Sequence, residues 1–250
     1  MTWNDVMGLV STVALSLPIL TLIITKLAGY KTFPALVIYY TTTVVYNLLT
    51  QGYIPASNSF IFSVGMATNL LDGPLVLTFL LYFSTTPQFK QRMKILIATF
   101  ITFEVLIVAL YGFTVKTITI VMGPDILIVL AFCIPLFVRQ TKMTIVHHKG
   151  TGKALMIASL LFAYGCYSII YLVYYLLEIR DKEATFLVFF LVYTFSSLLI
   201  SIGIYIERKR VRKLSELKVV RKELSELYPN EKTAAPLRTA IFDFDKEQWN

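Results

Sequence analysis

Three acidic residues lie inside long apolar stretches of this chain: Asp72, Glu104 and Asp125. No lysine, arginine or histidine shares those stretches. A carboxyl group surrounded by hydrocarbon is costly and marks a site until shown otherwise. With no basic side chain at the same depth, these acids either are protonated or face water, a cation or a cationic ligand. Two readings of their chemistry therefore stand. One is a binding or transport site for a small solute or cation. The other is a set of protonated carboxyls that hydrogen-bond between helices and hold them together.

Asp72 has the richest surroundings, in Asn69-Leu70-Leu71-Asp72-Gly73-Pro74. Asn69 precedes it by three residues and shares its helix face. Pro74 cannot donate to the carbonyl of Leu70, and Gly73 eases a bend, so an interrupted helix with a freed carbonyl is expected at this depth. Transporters bind ions and solutes at such interruptions. Gly123-Pro124-Asp125 repeats the combination about fifty residues later, as an internal duplication would. Glu104 has no polar neighbour in its own turn. Tyr39, Tyr40, Thr41, Thr42, Thr43, Tyr46 and Asn47 are polar groups in apolar sequence that can complete a cavity, as are Tyr164, Tyr167, Tyr193, Thr194, Ser196, Ser197 and Ser201. Tyr167 and Thr194 join Asn69 as expected members of the site. Tyr171, Tyr174 and Tyr175 fit better as an interfacial aromatic belt.

Other chemistries find no support. Gly150-Thr151-Gly152-Lys153 ends like a phosphate-binding loop, but the earlier glycine is missing and Ala154 stands where a hydroxyl is needed. His147 and His148 have no third ligand nearby. Cys133 and Cys166 lie in apolar runs, so no disulfide framework is expected. No nucleophile, base and orienting group occur together. The expectation is a protein that is not an enzyme and carries no cofactor or metal.

The elements that must position the acids follow from composition. The chain has 250 residues, 56% hydrophobic and 15% charged, where a soluble domain carries about 25% charged residues. A membrane span needs about 20 apolar residues. Seven segments qualify: 6–27, 33–54, 60–83, 95–113, 117–138, 153–177 and 185–206. In lipid they must be helices, since every backbone group has to be paired. Short connections make sequential helices antiparallel neighbours. The first apolar run lacks a basic leader and is expected to be a retained span.

Orientation comes from lysine and arginine. Lys26, Lys31, Lys90, Arg92, Lys94, Arg139, Lys142, Lys149 and Lys153 all fall on one side, with the basic run Arg208, Lys209, Arg210, Arg212 and Lys213. The other side has Lys116, Arg180 and Lys182. Basic loops stay cytoplasmic. The expected fold is an all-α membrane protein, a seven-transmembrane-helix bundle with its N-terminus outside and its C-terminus in the cytoplasm of a cell (inner) membrane. The net charge of +8 then points to an anionic inner leaflet and not to nucleic acid.

Residues 1–206 make the transmembrane domain in this reading, 207–228 a basic amphipathic cytoplasmic helix and 229–250 a flexible tail. Leu214, Leu217, Val220, Leu224 and Leu227 recur at spacings of three and four. Such a helix lies on the inner leaflet through Arg208, Lys209, Arg210, Arg212 and Lys213, or meets a cytoplasmic protein partner.

The topology resembles that of the microbial rhodopsins. Asp72-Gly73-Pro74-Leu75-Val76-Leu77 is similar to that family's third helix, and Val192-Tyr193-Thr194-Phe195-Ser196-Ser197-Leu198 with Gly203 and Arg208 to its seventh. The resemblance implies a seven-helix fold. It does not carry the retinal chemistry, because Leu198 stands where the family has its retinal-bearing lysine and Thr194 replaces an aspartate. The functional expectation is a multi-pass protein binding or transporting a small solute or cation at a mid-membrane carboxylate site. The alternative is a membrane sensor or scaffold that signals through its cytoplasmic tail.

Overall fold

A computed structural model describes residues 3–84, 86–147, 150–173 and 182–227. The expected tail 229–250, Tyr174, Tyr175, His148 and Arg180 lie outside the described residues, as do the side chains of Leu224 and Leu227.

The described chain is helical, without strands. The helices are α1 (Trp3–Ile24), α2 (Phe33–Thr50), α3 (Asn58–Leu80), α4 (Pro87–Tyr111), α5 (Val115–His147), α6 (Thr151–Tyr171) and α7 (Lys182–Leu227), with a single 3-10 turn, Leu81–Phe83, after α3. Local chemistry sets several of their ends. Ser57 accepts from the Phe60 amide to cap α3, and Thr86 accepts from Phe89 to cap α4, each at 3.3 Å. Gly112 (φ +68°) ends α4 in a conformation that other residues adopt at a penalty. Thr117 fastens the following turn by donating to the Gly112 carbonyl at 2.6 Å.

Six of these helices are long and apolar enough to cross a membrane. The exception is α2, whose centre holds the run of tyrosines and threonines from Tyr39 to Tyr46. Large apolar side chains cover the outside of the bundle, among them Leu20, Ile24, Ile95, Val105, Leu110, Leu127 and Ile169. Soluble monomers do not expose patches of that extent; a helix bundle in lipid must.

Neighbouring helices pack in a closed sequence: α1 on α2, α2 on α3, α3 on α5, α5 on α6, α6 on α7 and α7 back on α1. The remaining helix, α4, leans on α3 and α5 from outside that ring. Only 17% of its apolar span is buried, against 33–44% in the other five, so α4 is a peripheral helix with one face to the bundle. That face carries Met93, Phe100 and Glu104.

Two expectations about helix continuity need correction. Pro74 and Pro124 both lie within unbroken helices, so no unwound segment forms beside Asp72 or Asp125. And α7 has no break near residue 206; the expected last span and the expected cytoplasmic helix are one helix of 46 residues.

Candidate functional site

Asp72 projects from the middle of α3 and is half-buried. Its Oδ2 accepts from the Tyr164 hydroxyl of α6 at 2.9 Å. The phenols of Tyr39, Tyr167 and Tyr193 also lie within electrostatic reach of it. Their rings fall into two groups, one on α6 and α7 and one on α2. Tyr167 is 5.8 Å from Tyr164, from Phe189 and from Tyr193, and Tyr39 is 4.9 Å from Tyr40. Four helices of the ring, α2, α3, α6 and α7, therefore meet around one carboxyl group, through side chains that are apolar in body and polar at the tip.

Asp125 enters from α5, only 4% exposed. The close approach of α5 to α3 depends on Gly73: a Cβ at that position would collide with Asp125 Oδ1 and Cγ and press on the Phe100 ring. The second glycine-proline pair does the same for α6. A Cβ on Gly123 would fall 2.8 Å from the Tyr171 hydroxyl, which donates to the Thr119 carbonyl at 2.9 Å. In both motifs the glycine seats a polar group from a neighbouring helix.

Glu104 of α4 is 6% exposed. It feels the charge of Asp72, and Asp125 feels the charge of both. The three acids expected from sequence therefore lie within electrostatic reach of one another where α3, α4 and α5 meet, though among the described residues they are not close enough together to ligate one metal ion. Glu104 Oε1 and Asp125 Oδ1 are buried with no hydrogen-bond partner among the described residues. No lysine, arginine or histidine is buried among the described residues either. A buried carboxyl oxygen without a partner loses its hydration for nothing in return, so these two oxygens are the atoms that gain most from a cation or a proton donor.

A cavity of about 350 Å³ approaches the cluster along α3. Tyr46, Asn58, Gly65, Met66, Asn69 and Ile118 line it, between α2, α3 and α5. Gly65 lets the Tyr46 ring of α2 lie against α3 in its wall, because a Cβ there would meet that ring at 2.7 Å. Asn69 forms its inner end, and Asp72 follows one helical turn further on.

The other expected members divide. Asn69 lines the cavity, but its amide is turned on its own helix, donating to the Gly65 carbonyl at 2.8 Å. Tyr167 is buried in the ring cluster. Thr194 spends its hydroxyl on the Phe190 carbonyl of its own helix at 2.7 Å. Leu198 is exposed on α7. In the basic run, Arg208, Lys209, Arg212 and Lys213 are exposed, as a membrane-surface role requires.

Arg210 behaves differently, and beside it lies a second polar centre that sequence reasoning missed. Glu207, 1% exposed, accepts at one oxygen from the Tyr82 hydroxyl at 2.5 Å and from Arg210 Nε and Nη2 at 2.8 and 2.5 Å. Arg210 Nη2 also reaches the Tyr82 hydroxyl at 3.1 Å. The ammonium groups of Lys31 and Lys153 stand 5.8 and 5.0 Å from the centre of the Tyr82 ring. Lys31 takes a left-handed backbone conformation (φ 49°) at this position, which costs a non-glycine residue about 1 kcal/mol or more. The only sequence signal was an acid at the head of a basic run.

No protein-family model, curated protein or solved structure matches this chain.

Proposed function

We propose that this chain crosses a cell (inner) membrane seven times, with α2 as the seventh span, and holds a small solute or cation at the Asp72–Asp125–Glu104 cluster. The observation that carries this reading is the pair of buried, unpartnered carboxyl oxygens on Glu104 and Asp125 beside Asp72, in a region without a buried basic side chain. The tyrosines around Asp72 suit a cation with organic character, since ring faces attract ammonium groups and phenol oxygens accept from them. Two tyrosines of the polar run that lowers the hydropathy of α2 face inward, Tyr39 toward Asp72 and Tyr46 into the cavity, which supports its place as a span. The distribution of lysine and arginine supports an outside N-terminus and a cytoplasmic C-terminus. On that orientation the cavity at Asn69 opens outward.

The test is Asp72→Asn in liposomes, with flux of small cations and infrared difference spectra recorded together. Loss of flux, with a carboxyl band that changes on adding the solute only in the wild type, supports the site. Unchanged binding and flux would sink it and favour protonated carboxyls holding helices together.

A second reading, a sensor with cytoplasmic output, has one observation in its favour. The helix that brings Tyr193 to the site is the same unbroken helix that carries Arg210 and the basic run. Truncation after Arg212, with recruitment of a cytoplasmic protein as the readout, separates the two: a sensor loses its partner, while a transporter keeps its flux.

A further inference from the structure

A groove of about 590 Å³ runs along the outside of the bundle between α4 and α5, away from the cavity at Asn69. Ile95, Thr99 and Phe103 of α4 and Pro124 and Ile128 of α5 form its walls, with Arg92 at one end. Thr99 adds no free donor, because its hydroxyl is bonded to the Ile95 carbonyl at 3.0 Å. The groove is therefore an apolar channel with a guanidinium at its mouth. We propose that it holds one acyl chain of an anionic glycerophospholipid, with the lipid phosphate on Arg92.

Length, charge and setting each support that occupant. From Arg92 to Phe103 an α-helix rises about 16 Å. Half of a hydrocarbon core about 30 Å thick is about 15 Å. The groove is thus as long as the tail region of one leaflet. Lys90, Arg92 and Lys94 are exposed in the first turns of α4 and set the headgroup level there. No acidic residue lies between Pro87 and Phe103 to compete for that guanidinium within its own helix. Arginine binds phosphate through two parallel hydrogen bonds, which a zwitterionic headgroup's ammonium partly offsets. The periphery of α4 supplies the setting, since a helix so little buried by protein leaves a groove that lipid must fill. Phe100 also touches this groove, and its ring presses on the seat of Asp125 at Gly73, so a bound chain would support the wall of the acid cluster. The proposal does not depend on the solute site.

Native mass spectrometry of the full chain, exchanged from detergent into equal amounts of phosphatidylglycerol and phosphatidylcholine with matched chains, tests it. The wild type should retain phosphatidylglycerol preferentially. Arg92→Gln should lower that preference by about tenfold, the loss of a charge-assisted phosphate bond. Lys94→Gln, outside the groove lining, should lower it by no more than the roughly fivefold effect of a diffuse surface charge. Thr99→Trp fills the channel and should reduce retention of both lipids. Arg92 and Thr99 are exposed, so these variants fold if the wild type does. Equal retention of the two lipids by the wild type overturns the proposal. So does an Arg92→Gln effect no larger than that of Lys94→Gln, retention untouched by Thr99→Trp, or a doubled mass showing that a second copy covers the groove. None of these results bears on Asp72, whose flux assay stands separately.

Discussion

Adding one methyl group at Gly73 tests the way the acid cluster is assembled. The Cβ of Gly73→Ala would overlap Asp125 Oδ1 and Cγ, with the Phe100 ring 3.0 Å away behind them. Asp125 is short and 4% exposed, so its carboxyl cannot swing out into solvent. Either α5 moves off α3 or the carboxyl twists out of its rotamer. Overpacking of this kind costs about 1–3 kcal/mol. Alanine's helix propensity returns about 0.5–1 kcal/mol, leaving a net loss of up to about 2.5 kcal/mol, near the upper end here because the overlap with Asp125 is severe. The control is Gly165→Ala on α6, where a Cβ meets nothing within 4 Å. There the propensity gain stands alone, so the variant should be neutral or about 0.5–1 kcal/mol more stable. At about 2–4 °C per kcal/mol, the two variants should move Tm in opposite directions by a few degrees each. Thermal unfolding in a fixed detergent or nanodisc reads the difference. Gly73→Ala with Asp125→Ala should recover part of the loss. If Gly73→Ala and Gly165→Ala unfold together, the seating of Asp125 on Gly73 is refuted, and with it the account of why the glycine-proline pairs are there.

Gly152→Ala should be the worst of the glycine variants, because its Cβ would strike backbone, the Gly203 carbonyl at 2.7 Å and the Glu207 nitrogen at 2.8 Å, and backbone yields less than a side chain; its Tm should fall below that of Gly73→Ala. Tyr164→Phe removes the bond to Asp72 and should shift the Asp72 carboxyl stretch in infrared spectra while changing stability by about 1 kcal/mol. Glu207→Ala leaves Tyr82 and Arg210 without their acceptor; breaking a buried pair costs about 3–5 kcal/mol, and since Arg210 keeps 34% side-chain exposure a loss near 2–3 kcal/mol is expected by thermal unfolding. Arg212→Ala, which breaks only the exposed 3.0 Å pair with Glu216, should change stability by less than about 0.5 kcal/mol in the same measurement.

The helices and the acid cluster were legible in the chain for different reasons. Apolar stretches are a local property, so seven segments could be read directly as helices, six of which the structure shows to be long and apolar enough to cross lipid. The acids stood out because nothing basic shared their stretches. What those residues touch is not local. Gly73 reads in sequence as a helix bend; its role appears only when α5 lies against it. Asn69 and Thr194 counted as ligands by type, yet short polar side chains in a helix often satisfy themselves on the preceding turn, and both do. Glu207 shows the reverse error. Among Arg208, Lys209 and Arg210 it reads as one more surface charge, and its burial depends on Tyr82, 125 residues earlier. Arg210 was counted with the membrane-facing basic residues for the same reason. Local pattern gives the type of element; pairing across the bundle gives each side chain its job.

The length of α7 has a mechanical consequence. Its 46 residues extend about 69 Å, more than twice the thickness of hydrocarbon. It bears closely on α6 at Gly203, where a Cβ would meet Met156 Cγ at 2.7 Å and the Gly152 carbonyl at 3.0 Å. Measured from that bearing, Tyr193 at the acid site lies about 15 Å along one arm, and Leu227 about 36 Å along the other. Were α7 to pivot there as a rigid rod, about 1 Å of displacement at Tyr193 would become about 2.4 Å at Leu227, in the opposite sense. The Tyr82–Glu207–Arg210 bonds grip the long arm one turn beyond the pivot, where leverage is least and a brake must be strongest to hold.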